Sequence, residues 1–556
     1  MEDYLKEFEA DVEKWRHTWE SRLDKENPIH YDYPSEPPRW WFNKWAEEYP
    51  DRPYLLMGDL VLTYGVCNDM SRRIANALLD LGVKKGDRVA VMAPNVPQYV
   101  LAVQALFKTG MIEVPTNPLY TVPELAHQFA DSGTETVIVM APFASKAIEL
   151  LKDPNSPVKR VIYFQVPSVQ VEVESGEGIY DLNDLIAKAS NAEPDIEVTG
   201  DDICRLQYTG GTTGVPKGCV LTNFMVMTQA IRTSTISSRG FTIVSKEDYR
   251  TLAAIPLNHV YGYNFNIGVN LYTGGSMVLV PQPTADNLLM FIQKNKPTIF
   301  AAVPTMLIGL INHPDIAKAD ISSLKGMFCG SAALAVETLK EFERLTGGYI
   351  IEGYGLSETL NIITANAFNV RKYGSVGLVW PDTDLTIVDV ETGTKVMPRG
   401  ELGEIICRGP QVIKEYWQNP EETAKAIRGG WLYTGDIGYI DEEGFVFIVD
   451  RKKDMIICSG FNVYPRDVEE VLFAHPKIVE ACVIGVPDPK RGETVKAFVV
   501  VKPGETLTAE DVIAHCRQSL APYKVPTIVE FLDALPRTAV GKPDKKALKE
   551  MEQSKN

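Results

Sequence analysis

The stretch Tyr208-Thr209-Gly210-Gly211-Thr212-Thr213-Gly214-Val215-Pro216-Lys217-Gly218 decides how the rest of the chain folds around it. Its four glycines allow sharp turns that aim several backbone N–H groups at one anion. Thr209, Thr212 and Thr213 add hydroxyl donors, and Lys217 adds a positive charge. That set suits a phosphate. The Walker loop is excluded because it requires Gly-Lys followed by Ser or Thr, and the dinucleotide fingerprint G-x-G-x-x-G is absent as well. From composition alone, a glycine-rich connection without function stays open.

On both sides of this loop, short β-rich runs alternate with helical stretches. Val89 to Met92 reads as a buried strand, Gln98 to Lys108 as a helix, and Ile112 to Pro115 as a strand. Glu124 to Ala130 is helical and Thr136 to Met140 a strand, and the pattern returns between about Thr251 and Gly353. Such alternation predicts an α/β fold, with two mostly parallel sheets covered by helices on both faces. From about Tyr373 to Asp450, β-rich runs follow one another directly: Leu385 to Val390, Gly403 to Arg408, and a hairpin over Tyr439 to Phe447. These predict an antiparallel, barrel-like subdomain. Beyond Asp450-Arg451-Lys452-Lys453, a small α+β domain is expected. Its helices are Arg466 to Ala474 and Thr508 to Ser519, and its strands Val479 to Val486, Thr494 to Val501 and Thr527 to Leu532. At the N-terminus Leu5, Phe8, Val12, Trp15 and Trp19 recur at three- and four-residue steps, an amphipathic helix. Its polar face carries more acid than base, which favours docking on its own protein over a membrane.

With 556 residues the chain exceeds one hydrophobic core, so at least two domains are expected. The formal charge of −17 argues against nucleic acid as a partner and against general affinity for anionic surfaces. No apolar run is long enough for a transmembrane span, and Met1-Glu2-Asp3-Tyr4 lacks the basic start of a secretory signal. The eight cysteines are scattered, without C-x-x-C pairing or metal-ligand spacing. Buried free thiols and a cytoplasmic setting follow as expectations, with room left for peripheral membrane contact and for a homodimer.

Six further strings, in order along nearly the whole chain, accompany the loop. They are Leu62-Thr63-Tyr64-Gly65, Asn117-Pro118-Leu119-Tyr120, Gly353-Tyr354-Gly355-Leu356-Ser357-Glu358-Thr359, Tyr433-Thr434-Gly435-Asp436, Asp450-Arg451-Lys452-Lys453-Asp454 and Pro536-Arg537-Thr538-Ala539-Val540-Gly541-Lys542. Together they resemble the adenylate-forming superfamily of acyl-CoA synthetases, aryl-CoA ligases, luciferases and peptide-synthetase adenylation domains. The overall look is nearest to the prokaryotic fatty-acid-CoA ligases. The resemblance implies an AMP-binding domain over 1–450, with the barrel-like part near 371–450. A mobile lid then spans 451–556, with its hinge near Lys453.

It also implies roles. The loop from Thr209 to Gly214, with Lys217, cradles the phosphates. Tyr354, flanked by Gly353 and Gly355, stacks on adenine, with Ser331 and Ala332 also at the nucleotide. Ser357 meets the α-phosphate, and Glu358 holds Mg²⁺ on the triphosphate. Asp436 accepts the ribose hydroxyls and Arg451 makes a second ribose contact. Lys542 bridges the attacking carboxylate and the α-phosphate, cancelling their repulsion. Lid rotation about Lys453 withdraws Lys542 and brings Ser459-Gly460-Phe461 to the coenzyme A tunnel. Read without the family, Glu358 is a solvated carboxylate, Asp436 a turn former and Lys542 one of several lysines in a basic tail.

For the acid, His259 matches the position beside the reacting carboxylate. The expected pocket wall comprises Tyr261, Asn264, Phe265, Met306, Gly330, Gly353 and Ile362, mainly apolar. Asn258-His259 stands where amino acid activating domains carry Phe-Asp, and no carrier-protein segment follows the lid, so amino acids are disfavoured. The expected reaction is ATP-dependent, AMP-forming ligation of a hydrophobic acid, a medium- to long-chain fatty acid foremost, to coenzyme A. A benzoate- or coumarate-type acid, or a non-CoA acceptor, is the alternative. A non-catalytic nucleotide-binding protein is disfavoured because Lys217, Glu358, Asp436 and Lys542 are all present. Gly210, Glu352 and Val379-Trp380-Pro381-Asp382 depart from the family's usual residues.

Overall fold

Runs of apolar, β-branched residues bounded by helices leave no face for water, so they pair in parallel and are covered on both sides. The computed structural model describes residues 3–22, 30–167, 169–209, 216–238, 240–330, 334–458, 461–538 and 542–555. Among them a seven-stranded sheet carries Arg88–Met92 at its centre, paired in parallel with Ile112–Thr116 on one side and Thr136–Met140 on the other. Arg160–Phe164 and Ile179–Asp181 extend it in one direction, Ile203–Tyr208 and Gly218–Thr222 in the other. Its last pair alone is antiparallel. A nine-stranded sheet runs from Leu378–Val379 through Asn361–Ala365, Tyr349–Leu356, Gly326–Cys329, Ile299–Ala302, Arg250–Ala253 and Ser276–Leu279 to Pro53–Met57 and Leu60–Thr63. Its interior pairs are parallel and both ends turn antiparallel. Helix Asn223–Ser237 lies in the protein interior, and nearly every residue of it is buried.

The barrel-like expectation resolves into an open antiparallel sheet. Strands Asp384–Val388, Gly403–Arg408 and Trp431–Ile440 pair in that order, with Ile427–Arg428 and Val446–Arg451 both on the last. No pairing joins the outer strands Asp384–Val388 and Val446–Arg451 among the described residues. The N-terminal helix Asp3–Arg22 packs on this sheet. Phe8 and Val12 lie with Val388, Ile406 and Trp431, while Trp15 and Trp19 join Leu385, Ile387 and Ile405. Its apolar stripe is therefore spent on its own protein, as its charge pattern requires.

The C-terminal domain is a five-stranded sheet, with Ile478–Asp488 and Gly492–Val501 as its long antiparallel pair. Helices Pro465–Phe473 and Ala509–Arg517 share its core. Thr508 and Asp511 close a capping box on the second. The Asp450 carboxylate accepts N–H bonds from Arg451 at 2.7 Å and from Arg466 at 2.9 Å, which joins the first helix to the strand leading out of the larger domain. All eight cysteines are free and buried, and no described helix is long and apolar enough to cross a membrane.

The departure at Trp380–Asp382 has a structural reason. Asp382 takes φ +53°, a left-handed conformation that glycine adopts more readily. Its carboxylate accepts the Tyr31 N–H at 3.0 Å and the Tyr33 hydroxyl at 2.6 Å. The strain is offset by tethering the segment after the N-terminal helix.

Candidate active site

The two antiparallel strands Ile203–Tyr208 and Gly218–Thr222 set Tyr208 opposite Gly218, so the glycine-rich stretch connects them at one end. The Thr209 N–H donates to the Lys217 carbonyl at 3.0 Å, which closes the base of that connection. The Trp417 N–H donates to the Gly218 carbonyl at 2.8 Å, adding residues 415–417 to the free strand edge. Tyr416 is thereby laid beside Lys217, whose ammonium stands 5.2 Å from the ring centroid and pairs with Glu422. The Tyr416 hydroxyl donates to Glu358 Oε1 at 2.8 Å.

Glu358 sits in the short 3₁₀ turn Ser357–Thr359 between the antiparallel strands Tyr349–Leu356 and Asn361–Ala365. The return is too tight for a side chain at Gly355, where a Cβ would stand 1.5 Å from the Asn361 carbonyl oxygen. Leu360 and Asn361 complete the reversal with φ of +47° and +108°, strain of the kind that collects at functional turns. The Thr359 hydroxyl, bonded to the Asn361 carbonyl at 2.6 Å, holds it.

Tyr354, on the strand leading into that turn, donates its hydroxyl to Asp436 Oδ2 at 2.5 Å. Asp436 faces Arg451 across the strand pair, and Arg451 Nε lies 3.1 Å from Oδ1. The carboxylate is buried and thus held between two donors. Next to it, Glu404 accepts the Gly435 N–H at 3.1 Å and pairs with Lys452 at 2.9 Å. Lys453 follows, its ammonium pulled down by burial and by Arg451.

Lys542, from the C-terminal domain, lies in the fields of Arg451, Asp436 and His259. Burial, with Arg451 adding, brings its pKa down to about 8, while Asp436 opposes the shift. His259 is pushed down to about 3, first by burial, then by Lys542 and Arg205. The imidazole is therefore neutral at physiological pH. Its Nδ1 accepts the Tyr261 N–H at 3.2 Å, which puts the ring hydrogen on Nε2.

The loop that carries His259 rests on a buried ion pair. Arg205 Nη1 meets Glu113 Oε2 at 2.6 Å, and Tyr99 donates to the other Glu113 oxygen at 2.7 Å. Arg205 Nη2 donates to the carbonyls of Leu257 and Asn258 at 3.2 and 3.1 Å, fixing the backbone just before His259.

Behind His259 lies an apolar cluster. Tyr261, Phe265, Phe328, Ile362 and Trp380 belong to it, with Met306 packed against it. The Tyr261 hydroxyl donates to Ala302 and Phe328 carbonyls at 3.1 and 3.2 Å, so its polar end is satisfied. A Cβ on Gly330 would stand 3.5 Å from the Tyr261 ring, and Gly353 lies opposite Ala365 of the same cluster. Asn264 opens a short π-helical turn, a feature frequent at functional sites, and donates to Thr233 at 2.9 Å.

Residues 42–417 match the family model described as AMP-binding enzyme, and residues 467–542 match its C-terminal domain. The chain belongs to the AMP-binding enzyme family. This AMP-binding enzyme is 42% identical to a long-chain-fatty-acid–CoA ligase of Bacillus subtilis over 528 residues, 91% of this chain and 93% of the relative. It is 36% identical to a long-chain-fatty-acid–CoA ligase of Escherichia coli over 527 residues, 90% and 92% of the two chains. Among solved structures, the anthranilate CoA ligase AuaEII in complex with anthranoyl-AMP superposes with TM-score 0.84 at 28% identity, covering 94% of this chain and 98% of that one.

Lys217, Glu358, Tyr354, Asp436, Arg451, Lys542 and His259 thus stand in connected environments, and Tyr261, Phe265, Met306 and Ile362 in one cluster. Gly210, Gly211, Thr212, Thr213, Gly214, Ser331, Ala332 and Gly460 lie outside the described residues. Tyr416 and Glu422 went unread in the sequence, as did Glu404 and the Arg205–Glu113 pair. Only the aromatic pair Tyr416-Trp417 in a loop, and an arginine inside an apolar strand, offered any signal there. Glu352, which departs from the family pattern, accepts the Leu334 N–H at 3.3 Å, and burial raises its pKa.

Proposed function

We propose that this AMP-binding enzyme is an acyl-CoA ligase that activates a long-chain fatty acid. The acid carboxylate attacks the α-phosphate of ATP, giving acyl-AMP and pyrophosphate; the thiol of coenzyme A then displaces AMP to give the thioester. The observation that carries the reading is the electrostatic coupling of Lys542 with Asp436, Arg451 and His259, together with the apolar cluster of Tyr261, Phe265 and Ile362 that begins two residues after His259. The long-chain-fatty-acid–CoA ligases at 36–42% identity over nine-tenths of the chain support the acid.

Asp436 exchanges the Tyr354 hydroxyl for the ribose hydroxyls, and Tyr354 turns its ring to adenine. Lys542 neutralises the two anions that must meet. Neutral His259 offers an Nε2 hydrogen beside the carboxylate and neither takes up a proton nor repels Lys542. Glu358 is the candidate ligand for Mg²⁺, with one oxygen engaged by Tyr416. Among the described residues no three His, Cys, Asp or Glu side chains form a metal site. A single carboxylate fits an ion that shares its coordination with triphosphate oxygens. That ion would screen the departing pyrophosphate. The chain divides at about 450, with Lys453 as the hinge on which residues 451–556 turn between the half-reactions.

The purified chain, given palmitate, ATP, Mg²⁺ and coenzyme A, is expected to release AMP, pyrophosphate and palmitoyl-CoA in equal amounts. ADP and phosphate as products, or pyrophosphate with no thioester, would overturn the reading.

A further inference from the structure

The charged residues on the two sides of Lys453 are tied to different bodies. Before it, Arg451 pairs with Asp436 at 3.1 Å and Lys452 with Glu404 at 2.9 Å, both acids on the open antiparallel sheet of the larger domain. After it, Asp454 meets Lys549 at 3.6 Å, and the Ile457 N–H donates to Glu493 at 2.8 Å, all within the small domain. Arg466, the second residue of helix Pro465–Phe473, reaches back across that division. Its backbone N–H donates to Asp450 Oδ2 at 2.9 Å, and its Nη1 donates to the Ile448 carbonyl, also at 2.9 Å. Glu470, one turn further along the helix, accepts from Nε at 3.1 Å and so holds the guanidinium towards strand Val446–Arg451. The buried carboxyl of Glu352, on the strand that leads to Tyr354, lies in the field of the same guanidinium.

We propose that Arg466 is a positioning residue for the first half-reaction, a clasp that holds the small domain in the pose in which Lys542 serves adenylation. The inference rests on the acyl-ligase reading. Rotation about Lys453 leaves the pairs on either side of it intact, because each lies within one body. The guanidinium–carbonyl bond joins the two bodies and must break. A hydrogen bond from a charged donor is strong enough to bias two poses, yet one such bond can be broken in every turnover. Losing it should shift the balance between the poses roughly tenfold. If the first half-reaction runs in one pose and the second in the other, the ratio of their rates follows that balance directly.

The test compares Arg466→Met and Arg466→Lys with the wild type in the full chain. Palmitate-dependent ATP–pyrophosphate exchange reads the first half-reaction, and thioester formation from supplied palmitoyl-AMP reads the second. In Arg466→Met the ratio of first to second should fall roughly tenfold, the first slowing while the second holds or quickens. Arg466→Lys keeps a charged donor and should recover part of the ratio. Trypsin gives a readout that needs no turnover. Cleavage after Lys452 or Lys453, identified by fragment mass, should be roughly tenfold faster in Arg466→Met, since it tracks the population in which the hinge is released. The unfolding midpoint should stay near that of the wild type; should it drop in Arg466→Met, Arg466→Ala takes its place in both assays. The clasp is overturned if the ratio does not fall, if both halves fall together, or if hinge cleavage is no faster. A wild type that makes no palmitoyl-AMP would overturn the acyl-ligase reading instead, and hinge cleavage then decides the clasp by itself.

Discussion

Lys542 and His259 divide the electrostatic work between them. Burial lowers the pKa of both, but Lys542, near 8, stays mainly protonated at neutral pH, whereas His259, near 3, is neutral throughout the working range. No histidine step between pH 5 and 8 is therefore expected from His259 in the adenylation profile. The rate should instead decline as pH rises through about 8, since the protonated ammonium is the active form and is lost on that side. Measured as kcat/KM for acid-dependent ATP–pyrophosphate exchange, Lys542→Arg should abolish that alkaline limb while lowering the plateau, because a guanidinium keeps its charge. An unchanged limb would remove Lys542 from the titration. Tyr416 makes a second prediction. Tyr416→Phe keeps the ring beneath Lys217 and deletes only the bond to Glu358. Hydrogen bonds to charged groups contribute roughly 1.5–3 kcal/mol. Adenylation should fall about tenfold or more and require more Mg²⁺, while thioester formation from supplied acyl-AMP is spared.

The strands and helices that set these groups were legible where their signal is local. The Thr136–Met140 and Gly403–Arg408 strands are read to the residue from apolar, β-branched runs. The Thr508–Asp511 box announces its helix by spacing alone. Motif residues were legible as strings, among them Tyr354 and Asp436, 82 positions apart yet hydrogen-bonded. What escaped depends on pairings that no short string records. Tyr416 meets Glu358 across 58 positions and Glu422 meets Lys217 across 205. Whether the barrel-like sheet closes turns on whether two distant strands pair, which no local string records, and they do not among the described residues. Arg205 and Glu113, 92 positions apart, look like misplaced charges in two apolar strands until they meet. Both are buried, so breaking the pair leaves a carboxylate without its counter-charge. Arg205→Met should cost roughly 3–5 kcal/mol in denaturant unfolding. Adding Glu113→Gln should recover much of that. A loss below about 1 kcal/mol would deny the pair its anchoring role under the His259 loop.

At the scale of the molecule, the proposed function assigns the nucleotide and acid sites to the two large sheets, and the small C-terminal domain supplies one lysine to them. The central claim is that Lys542 serves only the first of two half-reactions, after which the lid turns. The direct test separates the halves in Lys542→Ala. Acyl-AMP formation from palmitate and ATP should fall by at least a thousandfold, an effect on the order of 4 kcal/mol. Palmitoyl-CoA formation from supplied palmitoyl-AMP and coenzyme A should stay within a few fold of wild type. Equal losses in both halves, or an intact first half, would contradict the account.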